Sequence, residues 1–142
     1  MDWMLEVERQ ERRNYCGLRN LRATCYINCL LQQFYMIEPF REALMRLDCT
    51  NYNPVLKENE MYQFQKVLSF LRYSNKGSYN PREFCEAFRD YEGKPIDVNV
   101  QSDADEFFNA FFEKLENLLK VTKTPQIIDD VFRGTLSNQL VC

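Results

Sequence analysis

The 142-residue chain contains no histidine, so its own residues cannot complete a Ser-His pair, a Cys-His pair or a His-ligated metal site. Glycine and proline are also scarce, with 4 and 5 residues, which argues against a turn-rich all-β fold and predicts mainly helices. Basic residues do not outnumber acidic ones, because 18 Lys and Arg stand against 21 Asp and Glu for a net charge of −3. Nucleic acid is therefore not an expected partner, since phosphate binding needs a concentrated positive face.

No apolar run is long enough for a signal peptide or a membrane span, so neither secretion nor a membrane partner is expected. We expect the protein in the cytoplasm, the nucleus or both. Its six cysteines form no C-x-x-C pair and are most simply interpreted as reduced thiols. With 45% hydrophobic and 27% charged residues, the composition predicts one folded domain or part of one.

Apolar residues at helical spacing predict a mainly α fold. One helix begins after Thr24, a plausible N-cap, and is interrupted at Pro39, beyond which a shorter helix follows. Another amphipathic segment covers Met61 to Leu71, and Asn80-Pro81 is typical of a further helix start.

The strongest helix signal begins at Ser102. Ser102 and Asp105 form a capping-box-like start, with Asp in place of the preferred Glu or Gln, and a wide apolar stripe from Phe107 to Leu119 follows. After Pro125 the pattern changes and predicts one or two short strands at the C-terminal end, at Val131-Phe132, Thr135-Leu136 and Leu140-Val141.

A polar loop from Gly17 to Thr24 leads directly into the first helix and places Cys25 in its first turn. The N-terminus of a helix carries about half a positive charge, which stabilises a thiolate and lowers the pKa of a cysteine. Position alone leaves two interpretations open, an activated nucleophile or an inert, buried thiol at a helix start.

Three motifs extend this observation. The first is GLRNLRATCYINCLLQQFY, from Gly17 to Tyr35; the second runs from Gln101 to Phe107; the third is Phe132-Arg133-Gly134. The first resembles the cysteine box of the ubiquitin-specific proteases, papain-like deubiquitinases in which it reads G-L-x-N-L-G-x-T-C-Y/F-x-N-S-x-L-Q. The second is similar to the family's Q-x-D-A-x-E-F box, and the third resembles the F-x-G segment that leads into the zinc-binding fingers. All three occur in the family's order.

The resemblance implies that residues 15–142 form the N-terminal, thumb-like helical part of a papain-like catalytic domain, after an extension of residues 1–14. It implies a thiol hydrolase that cleaves the isopeptide bond at the ubiquitin C-terminus through a thioester, with ubiquitin or ubiquitinated proteins as partners. Cys25 would be the nucleophile and Asn20 the side-chain donor of the oxyanion hole. For Asn20 an ordinary turn residue is the alternative.

Gln101, Asp103 and Glu106 match family residues that line the groove for the Arg- and Gly-rich tail of ubiquitin, where carboxylates would form charge-assisted hydrogen bonds. The alternative is that these acids only stabilise the helix through its dipole, by about 0.3 to 1 kcal/mol each, and Asp105 is predicted to be a cap. Cys142 matches the first zinc ligand of the family's fingers. Its partners would lie beyond the chain, so no cofactor is expected within the chain itself.

Three departures from the family pattern are informative. Arg22 stands where the family usually has Gly, so either this loop position is strained or its φ is negative. Cys29 replaces the usual Ser and is predicted to be a small packing residue, with a redox partner of Cys25 as the alternative. The family's His box is missing, and the chain ends before a base expected roughly 130 to 150 residues after the nucleophile in papain-like proteases. We therefore expect a domain truncated before its fingers and His box.

Two other functions stay open on the sequence alone. One is a catalytically inactive module that keeps the ubiquitin-tail groove. The other is a cysteine-rich metal or redox protein, although no two cysteines have a good ligand spacing. The reading frame beyond Cys142 separates the truncated protease from the inactive module, because only the protease continues into a C-x-x-C pair and a His box.

Overall fold

The computed structural model describes residues 15–122, 126–137 and 139. Its elements in chain order are β1 (Gly17–Leu18), α1 (Cys25–Met36), α2 (Glu38–Met45), α3 (Glu60–Tyr73), β2 (Ser78–Tyr79), α4 (Arg82–Ala87), α5 (Ala104–Lys120) and α6 (Ile127–Phe132). The predicted mainly α fold is confirmed. Within the described ranges, no helix combines the length and the apolar character needed to span a bilayer.

The first three helices lie in the predicted segments, although α2 already begins at Glu38, one residue before the predicted break at Pro39. Thr24 occupies the N-cap position of α1, but its side chain forms no capping hydrogen bond. Pro39 lies at the start of α2, where its missing N–H and restricted φ are compatible with a helix. Asn59 caps α3 by accepting a hydrogen bond from the backbone N–H of Tyr62 at 2.9 Å. The helix predictions for this half of the chain are therefore confirmed.

The start of α5 differs from the prediction by its cap. Asp103 is the N-cap, and its Oδ1 accepts a hydrogen bond from the backbone N–H of Asp105 at 2.8 Å. Ser102 precedes the cap and lines a cavity together with Tyr26 of α1. The predicted capping box of Ser102 with Asp105 is wrong, because Asp103 occupies the N-cap position and aspartate caps a helix as well as serine does.

The predicted strands at the C-terminal end are also wrong where the structure describes them. Val131 and Phe132 belong to α6, since together with Ile127 and Ile128 they have helical spacing. Residues 133–137 and 139 form no strand, and Leu140-Val141 lies outside the described residues. The ring of Phe132 packs edge-on against the rings of Phe40 and Phe112, with a centroid distance of 5.0 Å in each pair. Contact with these aromatic side chains stabilises the segment as a helix.

The short sheet lies elsewhere. Strands β1 and β2 pair in parallel, with Gly17 opposite Ser78 and Leu18 opposite Tyr79. Flanking hydrogen bonds extend the pairing, from Gly17 N to Gly77 O and from Arg19 N to Tyr79 O, both at 2.8 Å. Two-residue strands are too short for an alternating pattern, so the sequence carries no signal for them. The pairing anchors the loop before α1 to the segment between α3 and α4.

Aromatic rings join α1, α3 and α5 into one core. Phe34 of α1 stacks on Phe111 of α5 with centroids 5.1 Å apart, and Phe64 of α3 meets Phe111 edge-on at 4.9 Å. Nearer the helix starts, Tyr26 of α1 meets Phe107 of α5 edge-on at 6.1 Å. The contacts follow the same order along both helices. Therefore α1 and α5 run in the same direction, and their N-termini lie at the same end of the molecule.

Phe111→Ala should be strongly destabilising. Phe111 is fully buried and contacts rings on two other helices, so its truncation leaves a cavity that the surrounding rings cannot close. We expect a loss of about 3 to 5 kcal/mol in the free energy of unfolding, measured by urea denaturation. The control is Tyr73→Ala, since Tyr73 is 67% exposed. A loss below about 1 kcal/mol for Phe111→Ala would contradict the assigned core.

Candidate active site

Cys25 is the first residue of α1, and its side chain is exposed. Cys16, Cys49 and Cys85 are all buried. The structure therefore excludes a buried thiol at position 25. It places Cys25 as predicted, at the helix terminus where the backbone dipole favours negative charge.

Thr24 connects this helix to the loop before it. Its hydroxyl accepts a hydrogen bond from the backbone N–H of Leu21 at 3.0 Å and donates to Asn20 Oδ1 at 3.2 Å. Its backbone N–H also donates to Asn20 Oδ1, again at 3.2 Å. Thr24 is fully buried, and its three bonds hold the loop against the start of α1.

Two more side chains of α1 continue this attachment. Asn28 Nδ2 donates to the backbone carbonyl of Arg19 at 3.1 Å, and Gln32 Nε2 donates to that of Cys16 at 3.0 Å. Thr24, Asn28 and Gln32 are spaced four residues apart and so share one face of the helix. Their role was not predicted, although the four-residue spacing of these polar side chains was an available signal in the sequence.

The amide of Asn20 has a defined orientation. Both hydrogen bonds that Thr24 donates are accepted by Oδ1, so the oxygen of the amide faces the loop interior. Among the described residues Nδ2 has no acceptor, and Asn20 is exposed. The side chain can therefore donate outward from Nδ2, as the donor of an oxyanion hole must.

Arg22 has a positive φ of 99°, so the strained alternative from the sequence analysis is the one that the structure adopts. Its guanidinium donates from Nη1 to Asn99 Oδ1 at 2.8 Å. The next residue, Ala23, donates its backbone N–H to the carbonyl of Val98 at 2.9 Å. These contacts attach the loop to the segment that precedes α5.

Cys29 is exposed, so the prediction that it is a packing residue is wrong. Cys29 lies one turn after Cys25 on the same side of the helix, and this side faces away from the aromatic core. Buried positions of α1 are instead filled by Ile27, Leu31 and Phe34.

Of the three predicted groove residues Gln101, Asp103 and Glu106, one shares a cavity with the residue that follows Cys25. Glu106 and Tyr26, the residue after Cys25, line the same cavity of about 250 Å³. Its floor includes Phe88 and Phe107, and burial raises the pKa of Tyr26. Gln101 and Asp103 are exposed at the start of α5 but do not line this cavity. Of the three residues, Glu106 is therefore the one that shares a cavity with the neighbour of Cys25.

Metal binding has no candidate in the described part of the chain. No group of three or more Cys, Asp or Glu side chains there could hold an ion. Cys142, the predicted first zinc ligand, lies outside the described residues. The zinc site of the fingers stays a prediction.

The cysteines should separate into two classes by their alkylation rates. Burial raises the pKa of Cys49 to about 11 and that of Cys85 to about 12, so both thiols stay protonated at neutral pH. We expect iodoacetamide at pH 7 to modify Cys25 and Cys29 first, with Cys25 faster because its sulfur lies at the positive end of the helix dipole.

Site-resolved mass spectrometry measures these rates. Cys49 and Cys85 should gain reactivity only as the pH rises toward their raised pKa values, since the thiolate is the reactive form. Equal rates for Cys25 and Cys29 would remove the argument for an activated nucleophile.

Known proteins with similar sequences identify the family of this chain. The family model described as ubiquitin carboxyl-terminal hydrolase matches residues 16–142. The chain is 33% identical over 141 residues to human ubiquitin carboxyl-terminal hydrolase 24, which covers 99% of this chain but 5% of that protein. It is 32% identical over 140 residues to human ubiquitin carboxyl-terminal hydrolase 34, covering 98% of this chain and 4% of that protein. It is 34% identical to Drosophila melanogaster ubiquitin carboxyl-terminal hydrolase puf over 130 residues, 89% of this chain and 3% of that protein. The chain thus spans a small part of the length of these relatives, and it belongs to the ubiquitin carboxyl-terminal hydrolase family, whose ubiquitin-specific protease motifs it carries.

Proposed function

We propose that the chain is the N-terminal part of the catalytic domain of a cysteine-type deubiquitinase, with Cys25 as its nucleophile. The observation that carries this proposal is the start of α1, where an exposed thiol follows a buried threonine that orients the amide of Asn20. A thiol and an aligned amide donor are two of the groups that acyl transfer from an amide requires.

In the proposed reaction, the thiolate of Cys25 attacks the carbonyl carbon of the isopeptide bond after the last residue of ubiquitin. Negative charge then develops on the carbonyl oxygen, and Asn20 Nδ2 and the backbone N–H of Cys25 are its donors. The N–H groups of the first turn have no partner within a helix, so that of Cys25 is available. One such donor is worth about 2.7 to 4 kcal/mol of transition-state stabilisation.

Collapse of this intermediate breaks the C–N bond and leaves a thioester on Cys25, which water then hydrolyses. The leaving lysine amine needs a proton, and the attacking thiol needs a base. Since the chain has no histidine, neither role falls to a histidine among these 142 residues. The described residues therefore account for the nucleophile and the oxyanion donors of the reaction.

We propose ubiquitin as the partner and the cavity beside Tyr26 as the place where its tail approaches. The apolar floor suits the apolar parts of the tail, while Asp90, Asp97 and Glu106 on the rim suit its arginines. We propose that Gln101 and Asp103, which are exposed at the start of α5, contact the tail outside this cavity. The exposed, unpaired thiols of Cys25 and Cys29 agree with a reducing compartment, and we place the protein in the cytoplasm or the nucleus.

A ubiquitin derivative with a thiol-reactive C-terminus tests the proposal. We expect it to label Cys25 in preference to Cys29, because the ubiquitin moiety brings its reactive group to the start of α1. We also expect no turnover of a ubiquitin amide substrate by the chain alone, since no histidine can protonate the leaving amine. Mass spectrometry locates the adduct, and a fluorogenic ubiquitin amide measures the turnover.

Three controls accompany this experiment. Cys25→Ser should abolish the ubiquitin adduct, and Cys29→Ser should retain it. A small electrophile of the same chemistry, without ubiquitin, gives the intrinsic ratio of the two cysteines. If ubiquitin does not raise the preference for Cys25 above that ratio, the proposed function is wrong.

Asp103 offers a test of the tail-binding role. Asp103→Asn removes the charge but keeps an N-cap, because Asn and Asp cap helices equally well. If the carboxylate binds the ubiquitin tail, this variant binds ubiquitin more weakly, by an amount that shrinks with added salt, while the free energy of unfolding stays within about 0.5 kcal/mol. Calorimetric titration with ubiquitin and urea denaturation measure the two quantities.

Asp103→Ala is the matched control, because it removes both the charge and the cap. It should weaken ubiquitin binding as much as Asp103→Asn and also lower the free energy of unfolding by about 0.5 to 2 kcal/mol. Unchanged affinity in Asp103→Asn, together with a loss of stability in Asp103→Ala, would limit Asp103 to its helix.

A further inference from the structure

A second cleft lies against the loop that carries Asn20 and shares no residue with the cavity beside Tyr26. Its volume is about 530 Å³, and most of its lining is polar. The lining residues are Asn20, Leu21, Arg22, Arg82, Val98 and Asn99. We call this the basic cleft, because its charged lining residues are two arginines.

The two arginines come from different parts of the chain. Arg22 belongs to the loop before α1, and Arg82 is the first residue of α4. Both are exposed, and in the part of the chain that the structure describes the guanidinium of Arg82 forms no ion pair. Its neighbour Glu83 pairs with Lys66 instead. Arg82 therefore keeps its guanidinium donors available to a ligand in the cleft.

Arg22 keeps donors available as well. Its Nη1 is bonded to Asn99 Oδ1 at 2.8 Å, and a guanidinium carries five N–H donors in all. The contact with Asn99 fixes the direction of the side chain, so less conformational entropy is lost when the other donors bind. A planar fork of this kind matches the two oxygens of a carboxylate or a phosphate.

The backbone of Arg22 is held in an unfavourable conformation, with φ at 99°. A non-glycine residue in such a region costs about 1 to 3 kcal/mol and persists only where its surroundings hold it. Here the holding contacts are the Ala23 N to Val98 O bond at 2.9 Å and the side-chain bond to Asn99. Glycine, which the family usually has here, would carry no strain and no charge.

Asp97 lies two residues before Asn99, and one of its carboxylate oxygens is bonded to that residue. Asp97 Oδ1 accepts hydrogen bonds from the backbone N–H and the side-chain amide of Asn99, both at 2.9 Å, and these bonds lower its pKa. With Nδ2 used in this way, Asn99 turns Oδ1 toward Arg22. The lining of the cleft thus has an excess of positive charge in a chain whose net charge is −3.

We propose that the basic cleft binds an acidic side chain, carboxylate or phosphorylated, of the ubiquitinated substrate protein. Asn20 lines this cleft and also presents Nδ2 as the candidate oxyanion donor, so a group held by Arg22 and Arg82 lies next to the scissile bond. That placement rests on the proposed function, whereas the binding of an anion does not. Substrates with an acidic residue near the modified lysine are then preferred.

Inorganic phosphate is the probe for the site itself. In NMR titrations at constant ionic strength, we expect saturable shifts confined to the signals of Asn20, Arg22, Arg82 and Asn99. Arg82→Gln and Arg22→Gly should each weaken phosphate binding on the order of tenfold, the usual size of one lost charged hydrogen bond. Arg22→Gly also removes the backbone strain, so it keeps the fold.

Lys94→Gln is the matched control, since Lys94 lies on the other cavity and its side chain is 70% exposed. It removes one positive charge and should leave phosphate binding unchanged. Equal phosphate affinity in the wild type, Arg22→Gly and Arg82→Gln, or shifts of similar size at scattered lysines, would overturn the basic cleft.

A pair of peptides then identifies the ligand. A peptide with aspartates beside a lysine should displace phosphate from the cleft, and the same peptide with asparagines should not; equal displacement by both would overturn the assignment to acidic side chains. Phosphate binding without ubiquitin-directed labelling of Cys25 would retain the cleft and remove the proposed function. Labelling without phosphate binding would retain the function and overturn the cleft.

Discussion

The packing of α1 against α5 is the interaction on which the rest of the structure depends. Phe34 on Phe111 and Tyr26 on Phe107 hold the two helices side by side with their N-termini at one end. Burial of such rings contributes more than their polar contacts, because an aromatic side chain removes 150 to 250 Å² from water, roughly 25 cal/mol for each Å². Cys25 and the segment from Gln101 to Phe107 both lie at that end. The packing of the apolar core therefore determines which polar residues lie near each other.

Polar side chains then give the loop between β1 and α1 its shape. This loop is too irregular to satisfy its own backbone groups, so each must find a partner elsewhere. Thr24 and Asn28 supply such partners at the start of α1, and Gln32 does the same for Cys16, the residue before β1. A different face of the same helix packs into the aromatic core through Phe34. One rigid helix thereby connects the core to the loop, which explains how Asn20 keeps a defined orientation on an exposed surface.

Two neighbouring surfaces carry opposite charge. In the cavity beside Tyr26, the three acids Asp90, Asp97 and Glu106 outnumber Lys94, whereas Arg22 and Arg82 line the basic cleft. The segment before α5 borders both, with Asp97 on the first and Asn99 on the second. Charges arranged in this way would draw a basic peptide to one surface and an acidic group to the other, because each surface attracts one sign of charge and repels the other.

Local sequence was sufficient for most of the helices and for the position of Cys25 at the start of α1. Apolar spacing and caps such as Asn59 act within a few residues of each other, so the sequence shows them directly. The cysteine box likewise identified the family and placed Cys25 in the first turn of α1.

Tertiary structure decided what depends on residues far apart in the chain. Phe132 became helical because Phe40 and Phe112 offered it an apolar surface. The exposure of Cys29 and the positive φ of Arg22 depend in the same way on what the rest of the chain packs beside them. Sequence by itself determined the elements and the chemical groups, whereas only the fold decided which of those groups face each other, because contacts between distant segments outweigh local preference wherever the two compete.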